Sequence, residues 1–217
     1  MNFTFQVRLN LIVRFDYLTE LIGMETFTNT LMPIIVQLAS DRKWRVRLGI
    51  MDYLLLLAEK FGEKFFTEET VLLCLSWLID HSYAIRLAAV INISKLAAIF
   101  GHEWTRDKLI PNILELAADK NYLHRMICIQ TLMSLSEVID PGLTKEKLVP
   151  CVLQMSQDKV PNVRFKVAQS LCNLGKKMDR AMLENTFKPV LQKFIQDPDN
   201  DVQYFAKETA ESLDIEL

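Results

Sequence analysis

Asp80-His81-Ser82-Tyr83-Ala84-Ile85-Arg86-Leu87-Ala88-Ala89-Val90-Ile91-Asn92-Ile93-Ser94-Lys95-Leu96 reads in two parts, a short polar stretch and then a run with Ile85, Ala89, Ile93 and Leu96 in helical register. Steps of four, four and three place those apolar residues on one face of a helix. The reading extends well beyond this segment. Taking Arg86 as an anchor and stepping by 39 residues in both directions lands on Arg8, Arg47, Arg125, Arg164 and Gln203. Six residues before the anchors stand Asp41, Asp80, Asp119, Asp158 and Asp197; ten after them stand Leu18, Leu57, Leu96, Leu135, Leu174 and Leu213. Fourteen before them come Pro33, Pro111, Pro150 and Pro189, with Leu72 as the exception. The register needs no insertion.

Self-similarity at a period of 20–50 residues marks a repeat architecture. In each unit the anchor helix is preceded by a second apolar stripe, for example Leu31, Ile35 and Leu38, which makes a first helix. Its proline is expected in an early turn, where a missing N–H is best tolerated. Glycine stops the second helix at Gly23, Gly62 and Gly101. Each unit is then a helical hairpin, and stacked hairpins bury a core that one hairpin alone cannot. The expected fold is all-α: a solenoid of antiparallel helix pairs in a right-handed, curved stack. It forms one array, with a partial repeat at 1–23 and full repeats at 24–62, 63–101, 102–140, 141–179 and 180–217. The partial first unit suggests a piece of something longer.

Composition narrows the function. Half of the 217 residues are apolar, about a quarter are charged, and the net charge is −2. Neutralising phosphates takes a basic surplus, so no nucleic-acid partner is expected. The longest apolar stretch, Val71 to Ile79, is too short to cross a bilayer. Met1 to Asp16, broken by Arg8 and Arg14, is no signal core. No membrane partner is expected. Cys74, Cys128, Cys151 and Cys172 form no C-x-x-C pair, which suits reduced thiols in a cytosolic or nuclear protein.

No nucleophile elbow, P-loop or dinucleotide loop occurs. His81, His102 and His124 lie in separate repeats without metal-ligand spacing. Asp197, Asp199, Asp201 and Glu208 mimic a calcium loop, but Val202 stands where that loop needs glycine. Neither catalysis nor a cofactor or metal is expected. Trp77 and Trp104 read as core.

The aspartates and arginines of the turns form a structural ladder. Aspartate accepts backbone N–H bonds at a helix start, and stacking brings the aspartate of one repeat to the arginine of its neighbour. The ladder comprises Asp41, Asp80, Asp119, Asp158, Asp197, Arg47, Arg86, Arg125 and Arg164, and Gln203 ends it. Between the two columns the residues vary, and three turns place Trp44, Tyr83 and Tyr122 three before the anchor. Either each ring folds back on its helix end, or the rings form a partner-binding ridge; the residue types favour the ridge. Its charge runs from basic Arg42, Lys43 and Arg45 to acidic Asp197, Asp199 and Asp201.

Proline, aspartate eight residues on and valine-arginine six after that resemble the HEAT repeat. Further strings are similar to the scaffold (A) subunit family of protein phosphatase 2A. They include Asp41-Arg42-Lys43-Trp44-Arg45-Val46-Arg47-Leu48, Trp77-Leu78-Ile79-Asp80-His81-Ser82-Tyr83-Ala84-Ile85-Arg86 and Asn121-Tyr122-Leu123-His124-Arg125-Met126. Phe100-Gly101-His102-Glu103-Trp104 and Asn162-Val163-Arg164-Phe165 belong with them. The resemblance implies a horseshoe of HEAT repeats whose last five hold the phosphatase catalytic subunit through the intra-repeat turns. By it, Lys43, Trp44, Arg45, Tyr83, Tyr122 and Leu123 bind that partner. The earlier repeats, which hold a regulatory subunit in that family, have no counterpart here, so the resemblance does not reach a regulatory partner. The expected function is a non-catalytic phosphatase scaffold. The alternative is an importin-like transport adaptor or another HEAT interaction module.

Overall fold

The computed structural model describes residues 32–63 and 66–217. Arg8, Leu18, Gly23 and the partial repeat lie outside the described residues. The chain divides into two compact units, one ending at Phe100 and one beginning at Gly101. Every described element is helical or a turn.

The first unit holds α1 (Met32–Ala39), α2 (Trp44–Phe61), α3 (Glu68–Ser76) and most of α4 (Tyr83–Trp104). Val46, Ile50, Leu54 and Leu57 of α2 and Ile85, Ala89, Ile93 and Leu96 of α4 are buried, the face that the sequence spacing marks. Two polar bonds tie neighbouring hairpins within this unit. Trp77 Nε1 donates to the Ala39 carbonyl at 3.2 Å, and Asn92 Nδ2 donates to the Met51 carbonyl at 3.1 Å. Gly62 (φ 68°) closes α2, its N–H donating to the Ala58 carbonyl, and Gly101 (φ 86°) breaks α4. Both φ values fall where a Cβ is penalised.

One sequence expectation needs correction here. The run Tyr83–Ala118 is long and apolar enough to cross a membrane. Yet Gly101 interrupts it, and Ile85, Ala89, Val90, Ile93, Leu96 and Ala97 spend their apolar surface on the core.

The second unit continues with α5 (Ile110–Glu115), α6 (Tyr122–Ser136), α7 (Val149–Gln154), α8 (Pro161–Gly175), α9 (Lys188–Phe194) and α10 (Asn200–Ser212). α5, α7 and α9 pair with α6, α8 and α10, and α8 packs between α6 and α10. Leu132, Leu135, Leu171, Leu174, Phe187 and Leu191 are fully buried between them. Asp140 and Asp179 cap the entry to two hairpins, accepting from the N–H groups of Leu143 and Met182.

Pro33 is the second residue of α1, but Pro111, Pro150 and Pro189 do not sit in early turns of their first helices. Wide π-type turns at Thr105–Leu109, Thr144–Leu148 and Leu183–Phe187 each end two residues before Pro111, Pro150 and Pro189. Helix therefore already precedes each proline. A proline inside a helix lacks an N–H and presses its ring on the carbonyl four residues back. Widening the preceding turn relieves that clash without ending the helix.

A second column escaped the sequence reading. Ala58, Ala97, Ser136 and Gly175 recur at the 39-residue stride and are all buried. At Gly175 the reason is visible, because a Cβ there would meet Leu213 Cδ1 at 2.4 Å.

Candidate protein-interaction surface

The turn between paired helices has the same construction in every described repeat. A short 3₁₀ turn ends the first helix at Trp77–Ile79, Leu116–Ala118 and Met155–Gln157, and aspartate follows in an extended conformation. Its Oδ1 accepts from the N–H two residues on: Lys43 to Asp41, Ser82 to Asp80 and Asn121 to Asp119 at 2.7 Å, Val160 to Asp158 at 2.8 Å, and Asp199 to Asp197 at 3.0 Å. This is the local turn that a short carboxylate side chain stabilises. The anchor arginine then reaches back to the same aspartate's carbonyl. Arg47, Arg86, Arg125 and Arg164 donate from Nη1 to the carbonyls of Asp41, Asp80, Asp119 and Asp158 at 2.6–2.8 Å. Gln203 does the same to Asp197 at 2.7 Å.

In Arg47, Arg125 and Arg164 the rest of the guanidinium crosses to the next repeat. Arg47 Nη2 and Nε lie 2.8 Å from the two Asp80 oxygens. Arg125 and Arg164 grip Asp158 and Asp197 through Nε and Nη2 in the same fork. Planar two-point pairing of this kind is the strong form of a charge-assisted bond. Arg164 holds the Asp197 carboxyl below the usual range and is itself raised by the pairing. At Asp158 burial pulls upward, but the bonds from Arg125 and the Val160 N–H outweigh it and the carboxyl ends below its ordinary value. These side chains are internal mortar and offer little to a partner.

The residues between the two columns point the other way. Lys43, Arg45, Tyr83, Tyr122 and Leu123 are exposed, Tyr83 at 64 %. Trp44 is half-buried, with the Arg45 guanidinium stacked 4.5 Å from its ring centre. Trp44, Tyr83 and Tyr122 each stand as the first residue of a second helix, in α2, α4 and α6. Trp44 and Tyr83 belong to the first unit; Tyr122 and Leu123 belong to the second. Stacked cation and ring at an exposed turn make an anchor of the type that dominates protein interfaces.

Other sequence candidates have local duties. His124 Nδ1 lies 3.1 Å from Asp119 Oδ2, and His102 Nδ1 accepts from the Asp140 N–H. Asp199 caps α10 by accepting from the N–H groups of Asp201 and Val202, so with Asp197 tied to Arg164 the calcium-like string is already spent. No cluster suited to a metal ion occurs among the described residues. Trp77 and Trp104 are buried. The sequence reading missed an aromatic group at the last turn. Phe165 and Phe205 stack at 5.6 Å, with Tyr204 edge-on to Phe205 at 5.2 Å and itself 62 % exposed. Its signal was the aromatic residue one past the anchor in both final repeats.

Comparison with known proteins agrees with this architecture. The HEAT repeat model matches residues 109–139 and 148–178. Among solved structures, that of Cex1p superposes with a TM-score of 0.69 at 16 % identity, covering 98 % of this chain and 41 % of that one. The chain thus spans about two-fifths of that structure. An engineered protein (TM-score 0.47, 15 % identity, 83 % of this chain and 78 % of that one) is similar only weakly. So is a designed armadillo repeat protein for modular peptide recognition (0.46, 16 %, 82 % and 80 %). At such identities the likeness shows fold alone. No curated protein sequence matches this chain. The chain is an all-α solenoid carrying HEAT repeats, an architecture that is typically non-catalytic and suits a protein-interaction scaffold.

Proposed function

We propose that this chain is the non-catalytic scaffold of a protein phosphatase 2A-type assembly, holding the catalytic subunit by its intra-repeat turns. One observation carries the reading: ladder side chains are spent on hydrogen bonds to the turn backbone or to a neighbouring repeat, with Arg47, Arg125 and Asp197 buried, while the variable residues Lys43, Arg45, Tyr83, Tyr122 and Leu123 are exposed. Structure alone asks only for the ladder. The exposed strings are those that resemble the phosphatase scaffold family, which supports a role for them toward a partner rather than in the fold. The mechanism is positional: a solenoid that holds the enzyme raises its effective concentration near whatever else is bound. A cytosolic or nuclear setting follows from that role.

The test is capture of the phosphatase catalytic subunit by the purified chain. The triple variant Lys43→Ala, Trp44→Ala, Arg45→Ala is expected to lose capture while keeping its far-ultraviolet helical signal. Capture at the level of the parent chain overturns the proposal.

A further inference from the structure

A groove of about 490 Å³ crosses the second helices α6, α8 and α10 of the second unit. None of the ladder or turn-tip residues lines it. Gln130, Gln169 and Glu208 line it at the 39-residue stride, one from each helix. Packed helix axes lie about 8–10 Å apart, and an extended chain advances about 3.3 Å per residue. Neighbouring rungs therefore face backbone groups about three residues apart. A side-chain amide both donates and accepts, which matches a peptide backbone.

The groove's polar side chains are largely unspent. Those of Gln130, Asn173, Lys176 and Glu208 form no hydrogen bond or ion pair with any described residue. Lys166 reaches only Gln169 Oε1, at 3.5 Å. Lys166 lies on α8 and Lys176 caps its end ten residues on, about 15 Å along the axis, and Glu208 is the only carboxylate in the lining. The local charge is positive in a chain whose net charge is −2. Phe205, held by its stack on Phe165, supplies a fixed apolar platform at one margin.

We infer that this groove binds an extended acidic segment of a partner protein. The segment's backbone pairs with the amides of Gln130, Gln169 and Asn173, its carboxylates meet Lys166 and Lys176, and one apolar side chain rests on Phe205. The inference is independent of which enzyme docks at the turn tips.

The chain carries its own reporter. Cys74, Cys128 and Cys151 are buried, and Cys172 alone is partly exposed, in this groove, with its Sγ 3.3 Å from Ser212 Oγ. The probe is a fluorescein-labelled peptide of three Ser-Glu-Val-Glu repeats, with Ser-Lys-Val-Lys and Ser-Gln-Val-Gln peptides as controls. The glutamate peptide is expected to bind saturably by anisotropy, to weaken as salt is raised, and to slow maleimide labelling of Cys172. Lys166→Glu with Lys176→Glu should weaken it about tenfold or more, and Gln169→Ala several-fold without any change of charge. The milder pair Lys166→Gln, Lys176→Gln serves if the reversal disturbs folding, and helical signal is recorded throughout. Phosphatase capture by these variants is expected to match the parent, which separates this site from the turn tips. No binding of the glutamate peptide, equal binding of the lysine peptide, or indifference to the lysine variants or in Cys172 labelling overturns the inference.

Discussion

The turn at 41–45 and the turn at 197–201 hold the same place in the repeat and spend their charged residues in opposite directions. In the first, Arg42, Lys43 and Arg45 are exposed, and the Arg45 guanidinium dresses the Trp44 ring. In the second, Asp197 is gripped by Arg164 at 2.7 and 2.8 Å, and Asp199 accepts two helix N–H groups. Only Asp201 of the three carboxylates is fully given to solvent. The basic-to-acidic gradient read from composition is therefore much weaker at its acidic end than a count of aspartates suggests. A charge in a turn becomes a surface charge only when the frame does not consume it.

The sharpest way to break this comparison is to remove one residue from each class. Arg164→Ala leaves Asp197, whose side chain is 8 % exposed, without its partner. A loss of about 3–5 kcal/mol is expected in urea unfolding. Arg45→Ala, an exposed tip residue, is expected to move stability by no more than about 0.5 kcal/mol. Equal effects would mean that frame and tip are not separate.

Acid probes the same ladder more gently. Asp158 and Asp197 are held below the ordinary carboxylate value in the folded chain. Such a group stabilises the fold above its unfolded pKa, and that stability is lost as pH falls through the folded value. Thermal stability should therefore hold near neutral pH and fall once pH drops below about 4. Asp197→Asn should flatten that fall, and an unchanged acid profile would count against the ladder.

Among the changes to the frame, the smallest expected effect lies in the packing column. Gly175→Ala brings a Cβ onto the Leu213 methyl groups at 2.4 and 2.8 Å. Because those are the mobile ends of a side chain, the cost should be about 1 kcal/mol, read as a lower melting temperature. A neutral result would show that Leu213 can yield at no cost.

Much of the frame is legible in the chain because a 39-residue stride repeats every requirement: apolar residues at steps of three and four, aspartate at the turn, arginine six later. Periodicity is a local property, and helices follow from it. The prolines were legible as markers of the first helix but not of their place in it, since only the path of the preceding backbone reveals the widened turns before Pro111, Pro150 and Pro189. Trp44 and Tyr83 could be picked out as residue types, whereas their exposure depends on which neighbour leans over them. The groove around Gln169 was invisible for the same reason, its lining coming from three helices far apart in sequence.

The amino-acid order alone determines the hairpin unit, its length and the residues that link one unit to the next, because those are fixed by spacing along a single strand of polypeptide. Tertiary structure decides which charged groups are spent inside the frame and which remain to meet another protein. That choice belongs to side chains brought together from different repeats, and no stretch of sequence contains it.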